Sequence, residues 1–243
     1  LNAEGVVLAL ANAEAQVESI KAGETGFVIA NQTPFYAESG GQQGDRGTIT
    51  SESGARARVL DTQKRVSDMW VHEIEVEEGT LAVGDAVAFA VDDSRRAALQ
   101  GHHSATHLLH EALRQRLGAH VAQKGSMVAS DRLRFDFSHN AQVGADELAD
   151  VEIAVNEEIL ANTPVQTKVM SPEEAIEAGA TALFGEKYGD EVRVVTMGTT
   201  NAASNEIYSM ELCGGTHVAN TGDIGLMRIV REEGPSSGVR RIE

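Results

Sequence analysis

Cys213 is the only cysteine among 243 residues, so no disulfide braces this chain and packing must hold its fold. A lone thiol serves as a ligand, a nucleophile or buried filler, and its surroundings decide which. His217 follows it by four residues, across Gly214 and Gly215, and far upstream His103 and His107 are also four apart. On a helix that spacing puts both imidazoles on one face, within reach of one ion. The two pairs together offer a thiolate and three imidazoles, the ligand set of a tetrahedral site for one Zn2+ ion. Because Cys213 lies 106 residues after His107, such a site requires a helix and a distant turn to meet. Ser104 stands where zinc proteases carry their glutamate base, which removes that reading. His102 and His110 read as solvated helix side chains.

Charge sets a second constraint. The chain carries 20 Lys and Arg against 37 Asp and Glu, a formal −17 that taken whole argues against nucleic acid. Resolved along the sequence, residues 1–93 and 144–192 each hold −10, residues 193–243 hold −1, and residues 94–143 hold +4. A local anion-binding surface is therefore open to the basic stretch. No apolar run approaches the roughly 18 residues of a membrane span, so no membrane partner is expected and the reading is a soluble, cytoplasmic protein. The start at Leu1 rather than Met suggests a segment excised from a longer chain.

Element signals divide the chain into residues 1–93 and 94–243. Gly26 to Ala30, Ala57 to Leu60 and Val71 to Val76 read as short strands of a small antiparallel barrel, and Val6 to Ile20 as a strand followed by a helical turn. Asp92, Asp93 and Ser94 offer an N-cap for a helix running to Leu117, stopped by Gly118. Leu133 to Phe137, Val192 to Met197 and Ile224 to Val230 read as strands. Ala145 to Leu160 reads as an acidic amphipathic helix, and Ser171 with Pro172 opens another. Without a regular βαβ rhythm the class is α+β: a barrel-like domain, then a two-layer α/β sandwich with an antiparallel sheet and the zinc site. The polar stretch Gly198 to Glu206 reads as a flexible insertion.

These residues, with Thr33 to Gly47 around Ser39-Gly-Gly-Gln-Gln-Gly-Asp, Gln123 to Ser126, Arg132 to His139 and the closing Ser237 to Glu243, resemble the editing domain of alanyl-tRNA synthetases and its free-standing AlaX relatives. Threonyl-tRNA synthetases carry a related module, but with Arg and Pro in the turn where this chain has Gly and Thr. The resemblance implies hydrolysis of the ester joining serine or glycine to alanine tRNA, with the acceptor 3' end and the rest of a synthetase chain as partners. Small side chains differ by only about 1–3 kcal/mol in pocket contacts, so a second, hydrolytic site is needed for accuracy. It further implies that Thr106, Gln123 and Ser126 shape the editing pocket and supply hydroxyls and an amide to the catalytic machinery. Gln42 is placed near the pocket, and Gly214 and Gly215 admit the terminal adenosine.

Arg95, Arg96, Lys124, Arg132 and Arg134, with Arg240 and Arg241 at the end, are the candidate RNA contacts. No class II aminoacylation motif and no long helical bundle is visible, so neither tRNA charging nor ATP binding is expected of these residues. A free-standing trans-editing protein has the same chemistry; a zinc-stabilised interaction module with a decayed site is the alternative from another class. The charge map predicts weak binding of alanine tRNA that fades as salt is raised. Filter binding across a salt series tests this, and tight, salt-insensitive binding would contradict it.

Overall fold

The computed structural model describes residues 1–65, 69–181, 189–201 and 206–243. Two compact units emerge, Leu1–Ser39 with Gln43–Ala97, and Gly40–Gln42 with Ala98–Glu243.

The first unit is built from β1 (Asn2–Ala11), β2 (Gln16–Val17), β3 (Ser19–Lys21), β4 (Thr25–Ala30), β5 (Gly47–Ser51), β6 (Arg56–Arg65), β7 (Met69–Glu78), β8 (Thr80–Ala82) and β9 (Ala86–Val91). β1 pairs antiparallel with β4 on one side and β9 on the other, closing a six-stranded barrel in the order β1-β4-β7-β6-β5-β9. β2 extends β1, and β3 and β8 form a separate ladder. Alternation along the strands puts Val28, Ile49, Val59, Ile74, Val76 and Phe89 inside, and closure leaves the six strands without an open edge. The helical turn expected before Ile20 is absent. Asn12 instead accepts from the amides of Glu14 and Ala15 at 2.9 and 2.8 Å, and the side chain turns the backbone in place of a helix.

The second unit contains most of α1 (Asp93–Leu117), then β10 (Gln123–Val128), β11 (Leu133–Ser138), α2 (Ala145–Ala161), β12 (Gln166–Met170), α3 (Pro172–Glu177), β13 (Val192–Asn201), β14 (Glu206–Leu212), β15 (Glu232–Ser236) and β16 (Val239–Ile242). Asp92 Oδ1 accepts from the Arg95 amide at 3.0 Å to start α1, and Gly118 at φ 117° ends it, as the sequence indicates. Ser171 and Glu174 exchange side-chain to backbone bonds at the start of α3. The architecture is α+β and mostly strand. Where the sequence suggests one antiparallel sheet beside the helices, the described residues form two, β10-β11-β16-β15 and β12-β13-β14. Their core joins Leu108, Leu109 and Leu113 of α1, Phe135 and Phe137 of β11, Val151, Val155 and Ile159 of α2, and Val195 and Met197 of β13.

Two further expectations differ. Ile224 to Val230 is not a strand: Thr221–Ile224 is a 3-10 turn, Gly225 takes φ 86°, and the chain then runs beside α2. Asn156 bonds both backbone groups of Met227, at 2.8 and 3.0 Å, and Glu152 accepts from the Ile229 amide at 2.7 Å, so helix side chains satisfy what a sheet would have. Of the expected insertion, 198–201 belong to β13 and 206 to β14, while 202–205 lie outside the described residues. Among the described residues no helix is long and apolar enough to cross a membrane.

One buried base in the barrel has a testable consequence. His72 is fully buried, donates from Nδ1 to the Val28 carbonyl at 3.1 Å and accepts from the Thr33 hydroxyl at Nε2, 2.8 Å away. Burial outweighs the Val28 bond and lowers its pKa below 6.5. The unfolded chain therefore takes up a proton below pH 6.5 that the folded barrel refuses; the stabilisation is complete above that pH and fades as pH falls toward the lower folded value. Thermal melts between pH 7 and 5 should fall more steeply for wild type than for His72→Gln. Equal slopes would remove His72 from the pH response.

Candidate metal centre

His103, His107 and His110 project from one side of α1, at intervals of four and three residues. Cys213 and His217 stand in the turn that leaves β14. One ligand atom from each of His103, His107, Cys213 and His217 lies within 4.8 Å of the others. Cys213 Sγ is 3.4 Å from His103 Nε2 and 3.3 Å from His217 Nε2, while His107 Nε2 is buried without a hydrogen-bond partner.

Each imidazole is held from behind through Nδ1. His103 donates to Gln42 Oε1 at 2.7 Å, His107 to Glu211 Oε2 at 2.7 Å, and His217 meets the Ser104 hydroxyl at 3.1 Å. Gln42 is in turn fixed by Thr216, whose amide donates to Oε1 at 3.0 Å and whose hydroxyl accepts from Nε2 at 2.9 Å. Such partners fix ring orientation and leave the opposite nitrogen bare for an ion.

The charges in this group are strongly coupled. Burial alone would lower His107, but the negative charges of Glu211 and Cys213 overcome it and raise it to about 10. Burial favours neutral Glu211 and Cys213, yet the His107 charge and the imidazole contacts hold both well below their ordinary ranges. Burial, aided by the neighbouring imidazoles, lowers His217 to about 4 against the pull of Cys213. A divalent ion of Zn2+ type requires a thiolate and deprotonated imidazole nitrogens, so its binding would displace the proton that His107, with its raised pKa, carries at Nε2, an atom with no other partner. The residues fit the ion.

The remaining expected site residues divide by what they touch. Gln42, expected near the pocket as a substrate contact, is wholly buried and its amide is occupied by His103 and Thr216. It arrives there through a glycine: Gly41 takes φ 85°, a Cβ on it would lie 2.5 Å from the Ser126 carbonyl oxygen, and its own carbonyl accepts from Val128 at 2.8 Å. Thr106 donates its hydroxyl to the His102 carbonyl, four residues back, at 2.8 Å, and keeps acceptor capacity only. Gln123 and Ser126 are half-buried on β10, and among the described residues no protein group bonds their side chains. Gly215 is filled from the other side, since a Cβ there would sit 2.1 Å from His103 Cε1, whereas Gly214 has nothing within 4 Å.

Of the candidate RNA contacts, Lys124 is exposed and without an acidic partner among the described residues. Arg132 is exposed beside Asp131, and Arg134 lies 3.8 Å from Asp136. Arg240 and Arg241 are engaged by bidentate pairs with Glu232 and Asp136. In the first unit Arg96 is buried against Asp45, and Arg95 bonds Gly44 and Gln43. Those four arginines brace the fold, because in each case a carboxylate or carbonyl already occupies the guanidinium. Sequence reasoning missed Glu211, Ser104 and His110. An acidic residue two before Cys213 in a strand, flanked by Met210 and Leu212, was the available signal for the first.

Two family models match parts of the chain: residues 1–95 match the one described as tRNA synthetases class II (A), and residues 192–243 match the Threonyl and Alanyl tRNA synthetase second additional domain. The class II match coincides with the barrel strands and the first turn of α1. Alanine--tRNA ligases of Bradyrhizobium diazoefficiens and Nitrobacter winogradskyi are each 58% identical over 245 residues, covering 100% and 99% of this chain. The chain belongs to the alanyl-tRNA synthetase family, and spans 28% and 27% of the length of these two relatives.

The two glycines of the turn separate packing from access. Gly215→Ala must displace His103 and should weaken zinc binding at least tenfold, while Gly214→Ala should leave it unchanged. Competition against a chromophoric chelator measures both, and equal affinities would refute the packing argument.

Proposed function

We propose that this segment hydrolyses the ester of serine or glycine mistakenly joined to alanine tRNA, as the editing part of an alanyl-tRNA synthetase, with His103, His107, Cys213 and His217 holding one zinc ion. The observation that carries the reading is the convergence of those four ligand atoms within 4.8 Å, each imidazole backed at Nδ1, in a chain of this family. Four protein ligands make a closed site, so a bound zinc would organise the pocket, and would supply Lewis acidity to the substrate only where Cys213 or one histidine gives way.

The chain's own groups supply selection. Serine is larger than alanine and glycine smaller, so size alone cannot reject the correct product while admitting both errors. Hydroxyl recognition must contribute, and it acts on serine alone. Thr106 Oγ1, its proton committed to the His102 carbonyl, can only accept, which suits a serine hydroxyl donor. The uncommitted Gln123 amide and Ser126 hydroxyl remain to orient the ester carbonyl or the attacking water. Gly214, open and without a side chain, leaves room for the terminal ribose, and exposed Lys124 and Arg132 offer charge to the phosphates.

Incubation with Ser-, Gly-, Ala- and Thr-charged tRNAs tests the reading. Loss of the first two on alanine tRNA supports it; loss restricted to Ser on threonine tRNA favours the threonyl relative; no turnover by zinc-loaded protein favours an interaction module. Cys213→Ala should lose both zinc and seryl-ester hydrolysis, and full activity without metal would overturn the zinc assignment.

A further inference from the structure

Glu211 carries two loads. Its carboxylate is buried, accepts from His107 Nδ1 through Oε2 at 2.7 Å, and accepts from His110 Nδ1 through Oε1 at 2.8 Å. His110 is outside the ligand group, only 2% exposed, and packs against the Phe135 ring with centroids 5.1 Å apart. Its Nε2 is buried without a partner.

We infer that His110 and Glu211 form a directional clamp whose purpose is to fix the tautomer of His107, and so to set the affinity of the metal centre; this rests on the zinc reading above. An ionised carboxylate accepts and never donates, so both imidazoles must present N–H at Nδ1. For His107 that commits the Nδ1 proton and makes Nε2 the nitrogen that yields its proton and offers its lone pair when an ion binds. For His110 it leaves a lone pair facing an apolar wall, whereas the opposite tautomer would bury an N–H with nothing to accept it. His110 therefore cannot invert without that penalty. Because it pins Oε1, the carboxylate also cannot swing away from His107. His110 is a positioning residue, two hydrogen bonds removed from the ligand set.

The clamp makes a demand that simple packing does not. Glutamine at position 211 has one acceptor and one donor, so it cannot accept from both imidazoles. Either His107 inverts and loses its lone pair, or His110 inverts and buries an unpaired N–H. Zinc affinity of Glu211→Gln, measured by chelator competition on purified protein, should fall about 10–100-fold, the range typical of outer-shell changes. His110→Asn keeps a donor facing Glu211 and should bind nearly as wild type. Combining the two substitutions should restore much of the loss, because the introduced asparagine amide can rotate to accept from the introduced glutamine, whose oxygen is then free for His107. His110→Leu, which keeps bulk and removes the donor, should bind about tenfold more weakly. Wild-type affinity in Glu211→Gln or His110→Leu, or no recovery in the double variant, would overturn the clamp. Failure of the wild-type protein to bind zinc would instead overturn the metal reading, and the clamp with it.

Discussion

The second unit is organised round one awkward fact: three imidazoles, a thiol and a carboxylate are packed together, His103, His107 and Glu211 buried and Cys213 and His217 partly so. Burying such groups costs several kcal/mol each unless they are paired or bound to an ion. Here a closed set of partners offsets that cost, with Gln42 behind His103, Glu211 behind His107 and Ser104 behind His217. The rings are thereby oriented before any ion arrives. The binding free energy of an ion that such a group could hold would add to folding rather than go into the ordering of side chains.

That requirement explains features that look unrelated. Gly215 has no side chain because His103 occupies the space, and Gly41 takes a left-handed backbone so that Gln42 can reach the same histidine. Ser104 is buried within α1 because its hydroxyl serves both His217 and the Val218 amide, the latter at 3.2 Å. The apolar core beneath, from Leu108, Leu109 and Leu113 to Phe135 and Phe137, packs α1 in place. In the first unit, the buried pair of Arg96 and Asp45 follows the same rule. Removing either partner there would strand a charge, at about 3–5 kcal/mol.

Much of this was legible in the residues. The barrel strands follow from alternation, α1 from its cap and closing glycine, and α3 from Ser171 and Pro172. The four side chains that converge were picked out by two spacings of four. What alternation misread were Ile224 to Val230, where Asn156 and Glu152 of α2 satisfy the backbone, and the turn at Asn12, where one side chain replaces a helix. Both errors have one cause: a side chain distant or polar enough to escape periodicity supplied the hydrogen bonds that periodicity assigns to regular structure.

Sequence by itself determined which residue types could bind an ion and where helices begin and end, because ligand chemistry, capping and periodicity act over a few neighbouring positions. Only the tertiary structure decided the work of each polar group around them. Gln42 turned inward to His103, Arg240 and Arg241 were taken up by Glu232 and Asp136, and Glu211 came to lie between His107 and His110. A hydrogen bond or an ion pair is settled by whichever partner stands within about 3 Å, and chain distance carries no information about that.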